Sequence, residues 1–581
     1  MACNMRYMVD PRQSSLFDPA EAMFSPMAIK RMRNGWEHVF RAVLLRLMPA
    51  KELGEHFHPY LGCPTKELYG MAGVIFLREY FDLSIDQTVE RCLLDNGWQY
   101  ALNIQPMTAS MSHATVERYI RLMAEDDLGT EIFQQVAGEL IACLEQDVSR
   151  QRLDSTHIES DMAVFGRTRL MAVTIKRFLV QLKRHEGALH DALPAELVDR
   201  YAPAESQMFG RYKGDRRQMR QTLGEDLLAL VSRFAGNQAV ASRSSYKAME
   251  RVLAEQCEVK EETVTIKKQT GGAGLQNPSD PDATYCGHKG PGYTVQVAQT
   301  CTQGNDVQLI TAVRVDPAHQ SDQKAVEPML EQLEAHKRLP ELMYADTNYG
   351  RDENVQSAQE CGVDLQSPLG GHEMDAGKLS VDDFDIDEKT ETVQRCPNGC
   401  VPASSQVDKA TGRTRTVMRT EDCRACRFLK ECPVHQAGKE FVLIHRPFQR
   451  RCAERRAEQR TDAFAENYAI RAGMESTLSA VKRVTGMARL RTRGLKRVRL
   501  GALLRCAGWN MRRAAAALAS RARKAGTDLA TAVIAAVQRA SRVNFGHCLA
   551  PLTLIKCGHR LFRRSWQSMP SSPNRQAALA A

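Results

Sequence analysis

Apolar residues recur along this chain with two different periods, and the switches between them mark out its elements. From about Lys66 to Asp126 the spacing is helical. Ser84-Ile-Asp-Gln87 has the form of a capping box opening a helix through Leu94, and a second helix is predicted from Ser112 through Met123. Arg150 to Ile158 reads as a short strand with Asp154 inside it. Helical spacing returns from about Gly166 to Lys260, with one amphipathic helix opened by Thr222-Leu-Gly-Glu225 and running through Phe234, and another from Tyr246 to Cys257. Two strand-like runs, Tyr293–Ala298 and Val307–Val315, are separated by a Gly/Asn turn and predict an antiparallel hairpin. A helix over Ser321–Lys337, an apolar strand Glu341–Asp346, a helix to Cys361 and a strand Val363–Gln366 follow. Phe441 to Arg456 predicts a strand leading into a basic helix. Residues 1 to about 55 are mixed and predict nothing definite.

The stretch Tyr468-Ala-Ile-Arg471-Ala-Gly-Met-Glu475-Ser-Thr-Leu-Ser-Ala-Val-Lys482 predicts one helix carrying two stripes. At roughly 100° per residue, Tyr468, Arg471, Glu475 and Lys482 fall within an arc of about 60°. Ile470, Met474, Leu478 and Val481 form the apolar stripe that docks such a helix on a core. A carboxylate flanked by cations suits a site that holds a metal and grips phosphates. The alternative is a solvated face with Arg471 and Glu475 as an i,i+4 ion pair.

Composition sharpens this picture in three ways. The 581 residues allow two to four domains, and 43% hydrophobic with 25% charged residues is ordinary for a soluble globular protein. The apolar runs are too short to span a bilayer, and the first thirty residues lack a basic start followed by an apolar stretch, so neither membrane nor secretion is expected. Seventeen mostly scattered Cys point to a reducing compartment, the cytoplasm, rather than to a disulfide framework. The net charge of +10 is lopsided: Ser476 to Thr527 holds fourteen Lys or Arg and no Asp or Glu. Such a block expects a polyanion, most simply nucleic acid, with an acidic protein surface as the alternative.

One local cluster has metal-ligand spacing. Cys396-Pro-Asn-Gly-Cys400, Cys423-Arg-Ala-Cys426, Cys432 and His435 place five thiols and an imidazole within forty residues. Tetrahedral zinc would draw most simply on Cys396, Cys423, Cys426 and Cys432, with Cys400 and His435 as alternates. A metal-free loop is the other outcome.

The ungapped order Tyr468-x-x-Arg471-x-x-x-Glu475-x-x-x-x-x-x-Lys482 resembles the YREK signature of bacterial insertion-sequence transposases of the DDE type. Asp154-Ser-Thr is similar to the first-strand carboxylate context of that family, and Asp346-Thr-Asn-Tyr-Gly350 to the second. Asn277-Pro-Ser-Asp-Pro-Asp-Ala-Thr-Tyr285 with Lys289 looks like a further recurrent segment. Asn348 departs from the Gly the family usually has before its Tyr, a mild change because Asn tolerates a left-handed turn. The order strand, long helical insert, hairpin, helix, strand, helix, strand then matches an α/β, ribonuclease-H-like mixed sheet. On that fold Asp346 ends a parallel strand, where open α/β sheets place their sites.

The resemblance implies a catalytic trio, Asp154, Asp346 and Glu475, binding two magnesium or manganese ions; Asp161, close to Asp154 in the sequence, is a competitor for metal binding. It also implies DNA contacts from Tyr468, Arg471 and Lys482, joined by Lys289 and by Arg489, Arg491, Arg493, Lys496, Arg497 and Arg499 of the basic block. The domains expected are a lead over 1–58, a helical DNA-binding domain over 59–145 and a catalytic domain over 146–515. The last carries a helical insertion at about 166–265 and a zinc-ribbon-like Cys-rich insertion at about 392–436. A helical then disordered tail over 516–581 completes the chain. The expected partners are double-stranded transposon-end and target DNA, bound by a homodimer in the bacterial cytoplasm. Two alternatives are a metal-dependent nuclease that nicks without joining, and a non-catalytic DNA-binding protein derived from a transposase.

Overall fold

A computed structural model of the chain describes residues 5–11, 18–105, 109–204, 215–261, 263–369, 378–408 and 411–547. It forms two compact units, one of residues 1–147, 152–325 and 472–537, the other of 148–151, 326–471 and 538–581. The disordered tail expected at the end of the chain lies outside the described residues.

The first unit begins with helices. Two short ones lie within residues 19–33, where the pattern predicts none, and each opens with a Pro behind a capping residue: Asp18 before Pro19–Met23 and Ser25 before Pro26–Arg33. Helix α1 (Leu68–Tyr80) is buried along nearly its whole length, and Glu67 caps it by accepting from the Tyr69 and Gly70 N–H groups. The capping box forms as the sequence predicts. Ser84 Oγ accepts from Gln87 N (3.1 Å), Gln87 Oε1 accepts from Ser84 N (2.9 Å), and the helix runs Ile85–Leu94. His113–Glu125 starts under Ser112, whose side chain accepts from the Thr115 N–H.

Strand β1 (Arg150–Ile158) lies beside β3 (Gly290–Thr300), with β2 (Thr284–Cys286) on the far side of β3 and β4 (Ile310–Pro317) also paired to it. The β3–β4 hairpin is antiparallel, from Tyr293↔Pro317 to Ala298↔Ala312, with a bulge at Ala298/Gln299. Its second strand starts at Ile310 rather than at the predicted Val307. The Thr300 hydroxyl binds Gln308 Oε1 and the Leu309 N–H, so a side chain occupies the place of the next ladder bonds. The insertion is helical as expected. Arg167–His185, Arg216–Phe234 and Ser244–Gln256 enclose a core of Phe178, Leu227, Phe234 and Tyr246. Its middle helix begins at Arg216, not Thr222, because Asp215 caps it through the Arg217 N–H (2.7 Å).

In the second unit, Ser149 O accepts from the Glu341 and Leu342 N–H groups at the start of β5 (Leu342–Ala345). β5 pairs in parallel with β6 (Asp364–Gln366), and its last residue immediately precedes Asp346. The helix expected over Ser321–Lys337 is a 3-10 turn, Asp322–Ala325, followed by Val326–Ala335. Lys337, left-handed at φ 55°, closes the segment. The Cys-rich segment carries a four-stranded antiparallel sheet in the order Ser404–Asp408, Arg413–Met418, Glu440–His445, His435–Ala437.

The chain then returns to the first unit with α2 (Gly473–Thr485) and α3 (Leu495–Ala525). The single helix predicted through Tyr468 and Lys482 is therefore broken. Asp462–Tyr468 is α-helical, Ala469–Ala472 tightens into a 3-10 turn, and α2 starts afresh at Gly473. α3 spans 31 residues, and the domain boundary expected at 515 falls inside it. It packs on α1, on Leu128–Leu144 and on β4, so the N-terminal helices share one body with it instead of forming a separate domain.

Candidate active site

Within the first unit, α2 is fastened to β1 at both ends. At its start the helix comes so close that a Cβ on Gly473 would lie 2.1 Å from Arg152 Nη1. After its C-terminus the chain turns at Gly486 (φ 66°) and runs beside the end of β1. There Glu159 N donates to Ala488 O (2.9 Å), Leu490 N to Glu159 O (2.8 Å) and Asp161 N to Thr492 O (3.1 Å). Met474, Leu478 and Val481 of the predicted stripe are buried, which turns Glu475 in the first turn outward. Asp154 is half-buried on β1, one oxygen accepting from the Ser155 N–H.

Lys289 and Lys482, separated by nearly two hundred residues in the chain, come within electrostatic reach of each other here. Burial and the nearby Lys289 ammonium lower the Lys482 pKa. Burial also lowers the His157 pKa, and both lysines push it the same way. The His157 ring lies against Gly292, whose backbone (φ 151°) approaches so closely that a Cβ would sit 2.3 Å from Ile158 O and 3.0 Å from Nε2. The Pro291 carbonyl is close to the ring but outside hydrogen-bond geometry, so neither ring nitrogen has a partner among the described residues. Lys482 is half-buried and Lys289 exposed, and Glu159 on the same strand partly offsets their effect on the His157 ring. No sequence signal pointed to His157 as their neighbour.

The basic block is largely engaged within its own unit. Arg491 pairs with Asp82 (3.2 Å), Arg493 with Asp161 (3.1 Å), Arg497 with Glu117 (2.7 Å) and Arg499 with Asp127 (3.6 Å). Lys496 Nζ donates to Glu125 O. Of the six, Arg489 and Lys496 are exposed with no ion pair among the described residues, Lys496 being tied only to that carbonyl. The open polycationic face expected from composition is thus mostly a set of clamps between α3 and its surroundings. Asp280 and Asp282 belong to the same clamp: they accept from the Gly494 and Leu495 N–H groups at the start of α3. Asp161, the competitor for metal, is held by Arg493.

In the second unit, Arg471 Nη2 lies 3.6 Å from Asp346 Oδ1, and the Tyr468 hydroxyl donates to Ala345 O (2.9 Å). The Tyr468 ring stacks on Phe464 and meets Tyr344 edge-on. Tyr and Arg of the signature therefore fix the strand end that presents Asp346. Arg455 reinforces it by donating to Gly350 O and Ser367 O, while Ser367 Oγ donates to Asp346 O (2.6 Å). Gly350 is required by this closeness, because a Cβ would lie 2.7 Å from Ser367 Oγ. Asn348 sits in a 3-10 turn, not in the left-handed conformation its place in the motif suggested.

Also in this unit, Cys396, Cys400, Cys423, Cys426 and Cys432 line one small apolar pocket with Met418, Phe428 and Val434. Burial, then the four neighbouring thiols, pushes Cys423 up to about 11. Thiolates are the donors a thiophilic metal takes, and a cation in the protons' place would relieve this mutual elevation. Cys400 stands with the expected ligands, whereas His435 is exposed on the outer strand. Among the described residues, no three His, Cys, Asp or Glu side chains stand at metal-holding spacing.

Residues 395–515 match the family model of the transposase DDE domain. The matched stretch contains the Cys-rich segment, Tyr468 to Lys482 and the start of α3; Asp154 and Asp346 precede it. No curated protein matches the chain. A solved structure, a piggyBac transposase synaptic complex with hairpin DNA, aligns over 96% of this chain and 88% of its own at 8% identity, with a TM-score of 0.30. Among the described residues no helix is long and apolar enough to cross a membrane.

Proposed function

We propose that the protein is a DDE-type DNA transposase of the insertion-sequence class, which binds transposon ends, cleaves them and joins them to target DNA. The observation that carries this is the DDE-domain match over residues 395–515, which contains the helix of Glu475, the same helix that the first unit holds along the strand of Asp154. Asp154, Asp346 and Glu475 are the carboxylates assigned to the chemistry. All three retain exposure, and hard carboxylate oxygens suit magnesium or manganese. Two such ions, when bound, activate the attacking hydroxyl and stabilise the leaving oxygen of an in-line phosphoryl transfer.

The chain's own residues have separable tasks in this reading. Lys289 and Lys482 hold a phosphate as point charges. Tyr468 and Arg471 keep the end of β5 in place, and Arg471 balances Asp346. Arg489 adds a backbone contact. We assign zinc to the five-thiol pocket as a structural ion, and a homodimer on DNA as the working form. Labelled transposon ends supplied with unlabelled target and magnesium test the assignment. Joined product supports it; nicks alone would reduce it to a nuclease, and a shifted band without cleavage to a DNA-binding protein.

A further inference from the structure

We propose that Arg152 is a positioning residue for strand cleavage: its guanidinium, locked by Gln299, is the stop against which the first turn of the Glu475 helix rests, and Gly473 is the notch that lets the helix reach it. This rests on the transposase reading and adds a part that neither the signature nor the DDE match contains. Arg152 is 7% exposed, and its Nε and Nη2 both donate to Gln299 Oε1, at 3.1 and 2.8 Å. Gln299, 2% exposed, sits at the β3 bulge, where the extra residue re-aims a side chain out of the ladder. The remaining guanidinium nitrogen faces Gly473 across a gap that no Cβ fits.

Position gives this contact its meaning. Arg152 precedes Asp154 by two residues on β1, so the two side chains project from the same face of the strand. Gly473 precedes Glu475 by two residues at the start of α2. One rigid contact therefore sets how far the helix of one carboxylate stands from the strand of the other. A cation under a helix N-terminus opposes the helix dipole, so the contact is not there for local stability. Burial lowers the Arg152 pKa, yet a guanidinium keeps its proton, and the stop stays charged and planar.

The test uses the full chain and two substitutions that disturb the contact from opposite sides, Gly473→Ala and Arg152→Met, with Mn²⁺ as the metal probe. Free Mn²⁺ is followed by electron paramagnetic resonance, duplex affinity by fluorescence anisotropy, and nicking on labelled ends. Both variants should bind duplex within about twofold of wild type, since neither touches a phosphate-holding cation. Their Mn²⁺ midpoint should rise about tenfold, and nicking at fixed metal should fall at least as much, with partial recovery at high Mn²⁺. Gly473→Ala removes no buried polar group, so it remains informative if Arg152→Met does not fold. A folded Gly473→Ala protein with wild-type Mn²⁺ midpoint and nicking overturns the proposal while leaving the transposase reading intact. A wild-type chain that neither takes up Mn²⁺ nor nicks DNA overturns both.

Discussion

Arg505 is a fully buried charge in the first unit, and its replacement by Met gives a quantitative test of how α2 and α3 are held. Arg505 is 1% exposed. Its Nε donates to Thr485 O at 2.8 Å, its Nη2 to Asp82 Oδ1 at 2.9 Å, and its Nη1 to Gly501 O at 3.3 Å and to the carboxylate of Glu79, itself 2% exposed. Breaking a buried pair by removing one partner costs about 3–5 kcal/mol. Arg78 still faces Glu79 and Arg491 still faces Asp82 after the change, so the lower end, about 3 kcal/mol, applies. With a urea dependence of about 1–3 kcal/mol per molar, the midpoint should fall by about 1–3 M. Three of the four Trp, Trp36, Trp98 and Trp509, lie in this unit, so most of the tryptophan fluorescence follows its unfolding. Arg505→Lys keeps the charge but not the planar fork and should lose about half as much. Because Thr485 is the last residue of α2, nicking should weaken in parallel. A midpoint within about 0.5 M of wild type at unchanged slope would refute the claim that this network anchors the helix.

Four further outcomes follow from other parts of the molecule. Glu475→Gln should bind duplex normally yet nick at least about a hundredfold more slowly, with Asp154→Asn and Asp346→Asn behaving alike; normal nicking by purified Glu475→Gln protein would remove the trio. Replacing Lys289 and Lys482 together by Ala should flatten the log–log salt dependence of duplex binding by about two, whereas Arg497→Ala with Arg499→Ala should change it less; equal slopes for the two pairs would contradict the assignment. Protein purified without chelator should hold about one zinc per chain by elemental analysis, and five freely reactive thiols with no zinc would exclude the metal. Burial, then Arg41 and Arg33, lowers the His38 pKa to about 4. The unfolded imidazole binds a proton near its ordinary 6.5, so stability from this group is present above that value and lost as pH falls towards 4. The loss should be about 2 kcal/mol between pH 7.5 and 5 and absent in His38→Gln, which urea midpoints at the two pH values would show.

Local chemistry made much of this protein legible in its sequence. The Ser84–Gln87 capping box, the hairpin, the parallel strand before Asp346 and the buried stripe Met474, Leu478, Val481 each follow from residues within a few positions of one another. What escaped was set by distant groups. The periodicity of Tyr468 to Lys482 is continuous, so nothing in it marks the 3-10 turn at Ala469–Ala472. The close approach of Arg152 to Gly473 is a contact between positions more than three hundred residues apart. The basic block read as a free cationic face because its counter-ions, Asp82, Glu117, Asp127 and Asp161, lie in segments that composition treats separately. Gly350 and Gly292 were likewise unremarkable until the side chains pressing on them were known.

The long helix α3 imposes an order on how the protein can be made. α1 and the Leu128–Leu144 helix bury apolar surface partly against α3: Gly508 of α3 admits the Tyr80 ring of α1, where a Cβ would lie 2.3 Å away, and Gly129 of the other helix admits Leu500. Ribosomes add about 5–20 residues per second, so the more than four hundred residues between α1 and the middle of α3 take roughly 20–90 s to synthesise. Throughout that interval the N-terminal helices exist without the partner that covers them. Their exposed Leu, Ile and Phe side chains are what chaperones and proteases recognise. A message truncated before residue 495 would therefore yield a sticky, short-lived product rather than a soluble competitor, which ties the lifetime of the N-terminal half to completion of the chain.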